Sequence, residues 1–198
     1  MGALLSLSRG IDRINRLIAQ AASWLILFAV TISAINAIVR KVVNVSSNAW
    51  LESQWYLFGA AYMLAAAYTL CANEHIRIDL LYTRWPRRRQ NWIDLLGHIF
   101  FLMPFAGLMV YHLYPWFMRA YRTGEMSVSA SGLPFWPARL VILLGFVLLF
   151  VQGISEIIKK IAIMRGDLPD DNAPHTDPVG AVLGADTEAR TNTPEHRP

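Results

Sequence analysis

Charge is missing from four stretches of this 198-residue chain, Leu17 to Val39, Ser53 to Asn73, Leu95 to Met118 and Leu140 to Ser155. A charged side chain at mid-membrane costs at least about 2.5 to 3.5 kcal/mol, and proteins that move protons or ions unaided usually accept that cost in their pathway. Glu52, Asp94 and Glu156 instead fall at the ends of the apolar runs. Cysteine is nearly absent too. With Cys71 alone, an intramolecular disulfide is excluded. There is no Gly-rich phosphate loop, no HExxH pair and no CxxC, so nucleotide, zinc and dithiol redox chemistry lack their usual carriers. No nucleophile and base can be assembled from local motifs, and we expect no enzyme.

What is present is apolar length. The chain is 55% hydrophobic, and about 20 residues rising about 1.5 Å each cross a bilayer. The first three runs suffice alone; the fourth reaches membrane length with Leu133 to Arg139. The expected fold is an all-α integral membrane protein with four transmembrane helices, at about 17–39, 53–73, 93–118 and 136–158, in one domain over residues 1–165. No room is left for a second folded domain.

The net charge of +4 joins two opposed parts. Up to Arg165 there are 16 Lys and Arg against 7 acids (+9), and beyond it 2 against 7 (−5). The basic excess reads as membrane-flanking charge, not a nucleic-acid footprint. The N-terminus, the middle loop and the C-terminal flank hold 11 basic residues against 5 in the two other loops. The positive-inside rule therefore places both termini in the cytoplasm, with the first helix as a signal anchor. Residues 166–198 hold half the prolines and half the acids. We expect that tail to be disordered.

Leu4, Leu7, Ile11, Ile14 and Ile18 recur at helical spacing, with Arg9, Arg13 and Arg16 elsewhere on the surface. Such a segment either lies in the interface before the chain turns into the bilayer or is a basic flank to helix 1. Helix 2 carries Gly59, Ala60, Ala61, Ala65, Ala66 and Ala67, small residues that admit a close helix partner, inside this bundle or in another protein. From Glu74 the chain alternates charge with Ile76, Ile78, Leu80 and Leu81, then reaches Trp85 and Pro86. This is a second expected interfacial amphipathic arm, ended by the proline. Arg87, Arg88 and Arg89 are candidates for lipid headgroups as well as a topology signal. Pro104 is placed to kink helix 3, and Pro134 and Pro137 to fix the entry of helix 4.

Histidine leaves one cofactor reading open. His98 and His112 lie 14 residues apart, nearly on one face of an ideal helix and about 21 Å apart along it. A four-helix membrane cytochrome could use them, but two bis-histidine haems need four ligands and His75 is the only other histidine near the membrane. A self-sufficient homo-oligomeric channel is a further alternative. Our expectation is no cofactor.

The run from Glu52 through Gln54-Trp55-Tyr56-Leu57-Phe58-Gly59-Ala60-Ala61 to His75-Ile76-Arg77-Ile78-Asp79-Leu80-Leu81 resembles the small membrane subunit of tripartite ATP-independent periplasmic (TRAP) transporters. Ser131-Gly132-Leu133-Pro134-Phe135-Trp136-Pro137 and the four-span plan are similar to that family as well, over roughly residues 10–162. The resemblance implies a subunit of the bacterial or archaeal inner membrane that pairs with a large polytopic subunit. That partner would hold the substrate and sodium sites and move as an elevator, while a periplasmic solute-binding protein delivers the solute. It also implies structural or subunit-contact roles for Glu52, Gly59, His75, Arg77 and Asp79. Members often carry two adjacent acids where this chain has Glu52 and Ser53. Local roles stay open beside these: Glu52 at a helix start, His75 ending helix 2, Arg77 pairing with Asp79 or a lipid phosphate, and Gly59 in internal packing.

Overall fold

The structure, a computed structural model, describes residues 2–43, 48–72, 86–129 and 132–168. The expected middle arm, with His75, Arg77 and Asp79, and the tail from residue 169 lie outside the described residues. Among the described residues there are five α-helices: α1 (Gly2–Val43), α2 (Asn48–Cys71), α3 (Arg87–Gly97), α4 (Met103–Thr123) and α5 (Trp136–Arg165). A π-helical turn, His98–Leu102, joins α3 to α4. Among the described residues the only strand-like feature is a β-bridge between Met126 and Pro134.

Helix α1 corrects one expectation. The amphipathic stretch and the first apolar run form a single unbroken helix of 42 residues, about 63 Å long, with no turn between an interfacial arm and a span. From Gly2 to Val43 the chain contains no proline, and Gly10 alone costs only about 1 kcal/mol against alanine. The polar side chains of its first turns are met by α5, as shown below.

Among the described residues, three helices are long and apolar enough to cross a membrane: Gly2–Val42, Arg89–Thr123 and Trp136–Arg165. Helix α2, with 24 residues, has the length but is diluted by Glu52, Gln54 and three tyrosines. Of the four expected spans, composition thus carries three. Pro104 does not act as a simple kink either. The Met103 N–H reaches back to the His98 carbonyl, and the wide register ends at the proline, which has no N–H to continue it.

Helix α5 is the hub, with α1 and α2 packed on it and on each other, and α3, the π turn and α4 on its other side. Contacts set the directions. Ser8 meets Ser155 while Asn15 meets Gln152, so α1 runs antiparallel to α5; Tyr56 meets Pro134 and Met63 meets Gly145, so α2 runs alongside it. Small residues set the spacing. Ala22 and Ala29 on α1, and Ala60 and Ala67 on α2, are buried at seven-residue intervals, and a Cβ on Gly145 would lie 2.9 Å from both the Met63 Cβ and its carbonyl oxygen. Close approach of this kind lets dispersion hold helices together where the surroundings are as apolar as the side chains. Trp24, Phe28, Trp55 and Tyr111 point outward, as a hydrocarbon solvent allows.

Candidate functional site: two polar ends and an apolar crevice

At the C-terminal end of α5, Gln152, Ser155, Glu156 and Lys159 recur at helical spacing and share one face. Ser8, Asp12 and Asn15 do the same on α1. The Asn15 amide donates to Gln152 Oε1 at 2.6 Å, and the Gln152 amide donates to Asp12 Oδ1 at 2.8 Å and Glu156 Oε1 at 2.9 Å. The Ser155 hydroxyl lies 2.7 Å from Ser8 Oγ and donates to Asp12 at 3.0 Å. Lys159 completes the clasp, donating to Asp12 Oδ2 at 3.1 Å and pairing with Glu156. Gln152 and Ser155 are fully buried and Ser8 and Asn15 almost so. Burial is tolerable because these polar groups bond to one another, Asn15 Oδ1 alone among the buried side-chain atoms of the clasp being left without a partner.

Lys160, the next residue, points to the other side. Its ammonium pairs with Asp94 at 2.7 Å and donates to Asn91 Oδ1 at 3.2 Å on α3. Adjacent lysines therefore tie α1 and α3 to opposite flanks of α5. Asp12, Glu156 and Cys71 also bring potential metal-ligand atoms within 4.8 Å of one another. The Lys159 ammonium is bonded to both carboxylates and already supplies the positive charge a metal ion would bring.

At the opposite end, α2 presents Glu52 to the loop between α4 and α5. Its carboxylate accepts the Ser127 hydroxyl at 2.5 Å and the Leu133 backbone N–H at 2.7 Å. These bonds, the backbone one foremost, hold the Glu52 carboxyl below the usual carboxylate range. The loop also closes on itself: Ser127 N–H donates to the Leu133 carbonyl and Phe135 N–H to the Glu125 carbonyl, both at 2.9 Å. Gly132 is needed here, since a Cβ would sit 2.5 Å from that of Ser127. Arg139 secures the base, pairing with Glu125 at 2.9 Å, donating to the Trp116 carbonyl at 3.2 Å and lying 4.4 Å from the centre of the Trp116 ring. Val128, at the loop tip, is fully exposed.

Between these ends, α2 and the α3–π–α4 rod part above α5 and leave an apolar crevice of about 1030 Å³. Tyr62 and Ala66 form one wall, Phe101 and Phe105 the other, and Phe146 and Leu149 the floor. Asp94 and His98 make one end polar.

The residues singled out from the sequence are dispersed. Glu52 is bonded to the loop of its own chain. Gly59 faces open space, with nothing within 4 Å of a Cβ placed there, whereas Gly145 and Gly153 on α5 are the helical glycines against which other helices pack closely. Arg87, Arg88 and Arg89 open α3, where the Arg89 side chain is exposed. His98 lines the crevice with Nδ1 bonded to the Asp94 carbonyl oxygen at 2.7 Å, whereas His112 stacks edge-on against Tyr111 and is not among the crevice residues. The π turn adds a residue between the histidines and rotates α4 by about 100° relative to an unbroken helix, which separates the face they were expected to share. Asp12, Asn15, Gln152 and Lys159 were not anticipated from the sequence. Their only trace there is polar residues at helical spacing at the ends of apolar runs.

A model of the family described as tripartite ATP-independent periplasmic transporters, DctQ component, matches residues 29–162, more than half the chain. Comparison with curated proteins and with solved structures returned no match. By this match the chain belongs to the DctQ component family, the small membrane component of TRAP transporters.

Proposed function

We propose that this chain is the non-catalytic scaffold subunit of a sodium-coupled, binding-protein-dependent uptake transporter for an organic acid or related small solute. In this reading α2 crosses the inner membrane with the other three rods, both termini are cytoplasmic, and the α1–α5 clasp lies at the cytoplasmic face. The large membrane subunit holds the sodium and solute sites, and the outward apolar faces of this chain enlarge the static body against which it moves. The loop that Glu52 fastens helps to dock the periplasmic binding protein. Gly59, on an open helix face, contributes to the contact with the large subunit, and His75, Arg77 and Asp79 contribute to structure or contact around the middle arm.

The observation that carries the reading is where the charge goes. Asp12, Asp94, Glu125, Glu156, Arg139, Lys159 and Lys160 pair with one another at the two ends of the helices, and the stretches between are free of charge. A body of this kind is suited to bracing another protein, with no Asp, Glu, Lys or Arg in the stretches between its ends to move a solute.

Affinity purification of the tagged chain from its native membrane in mild detergent tests the reading. One large polytopic membrane protein is expected in stoichiometric amount. Recovery of the folded chain alone, under conditions that preserve other membrane complexes, overturns it.

A further inference from the structure

The crevice between α2 and α4 is lined, apart from Asp94 and His98 at one end, by apolar side chains, small residues and Tyr62. An empty cleft this size forfeits dispersion contacts on every wall, and its apolar lining offers water few partners. An apolar occupant restores those contacts, and the shape of the cleft bears on which occupant fits. The residues that line it on α2 run only from Tyr62 to Leu70, about 12 Å of helix, against the roughly 30 Å that a crossing helix would occupy. That length suits flexible hydrocarbon chains better than a rod of side chains.

Charge sets the polarity of the occupant. Ile93, on the crevice wall, follows Arg89 by one helical turn. Arg89 is exposed and is the third of three consecutive arginines at the start of α3. Asp94, at the same end, already has its charge met by Lys160, so it offers little repulsion to an approaching anion. We propose that the crevice seats an anionic phospholipid, its acyl chains along Phe101, Phe105 and Phe146 and its phosphate at the first turn of α3. This rests on the reading that α3 begins at a membrane face.

The test replaces Phe101 with p-benzoyl-phenylalanine in the full chain, irradiates native membranes and weighs the adducts. Phe28, exposed on α1, carries the same probe as an outward-facing comparison. We expect phospholipid adducts at position 101, with anionic headgroups enriched roughly tenfold over those at position 28. In the variant R87Q/R88Q/R89Q the two positions should become alike. A polypeptide adduct at 101 would mean that a partner helix fills the crevice and would overturn the proposal. Equal headgroup composition at both positions would also overturn it while leaving the membrane placement of the helices intact; no lipid adduct at either position would remove both.

Discussion

Lys159 and Lys160 are neighbours in sequence with different tasks, and neither task shows in the sequence. Read there, they are two of the basic residues that set orientation; in the fold each closes a contact across long chain separations. Lys160 and Asp94 are both less than one-tenth exposed, so removing one partner leaves a poorly solvated charge. Lys160→Met is expected to destabilise the chain by about 3 to 5 kcal/mol, read as a drop in its midpoint of thermal unfolding in detergent. Glu52 makes a prediction in pH. Its folded value lies below the ordinary 4.5, so the stabilisation it provides is complete above about 4.5 and disappears as pH falls through the lowered folded value. The difference in unfolding midpoint between the native chain and Glu52→Gln should therefore be constant from pH 7 to about pH 5 and shrink on further acidification. A difference that grew on acidification would contradict the assignment. The acid itself stood out in the sequence. Its partners, Ser127 Oγ and the Leu133 N–H, did not, because a carboxylate bonded to a loop some 80 residues away leaves no local pattern.

Helices were the most legible level, because hydrocarbon forces each span to be long and free of charge. Boundaries and breaks were less so. Nothing in residues 2–18 marks whether an amphipathic segment lies flat or continues into a span; the decision belongs to α5, whose buried polar face accepts Ser8, Asp12 and Asn15. The π turn was hidden as well, since Pro104 announces a disturbance without its register. Glycines separate two further roles at this scale. Gly145→Leu should push α2 from α5 and cost about 1 to 3 kcal/mol of stability in the isolated chain. Gly59→Leu, on an open face, should leave that stability unchanged and weaken recovery of the large subunit. Unchanged association would remove Gly59 from the contact surface.

For the whole molecule, contacts make the four rods alternate in direction, and the distribution of arginine and lysine gives that alternation a side. In a Cys71→Ser background, Val128→Cys should react with a membrane-impermeant maleimide added outside intact cells, whereas Ser6→Cys should react only after the membrane is opened. The reverse pattern would invert the topology. The family match begins at residue 29, so the α1 half of the clasp falls outside it, whereas Gln152, Ser155 and Lys159 fall within. Central position and chain order are also at odds here. Helix α5 is the element on which the others pack, and it follows all of them in the chain. During synthesis, Asp12, Asn15 and Asp94 must wait beside or within the bilayer until Gln152, Lys159 and Lys160 emerge from the ribosome. A nascent chain stalled before Trp136 would expose the polar halves of both junctions at once, which makes the interval before the last helix arrives the point at which membrane quality control can best recognise an unfinished subunit.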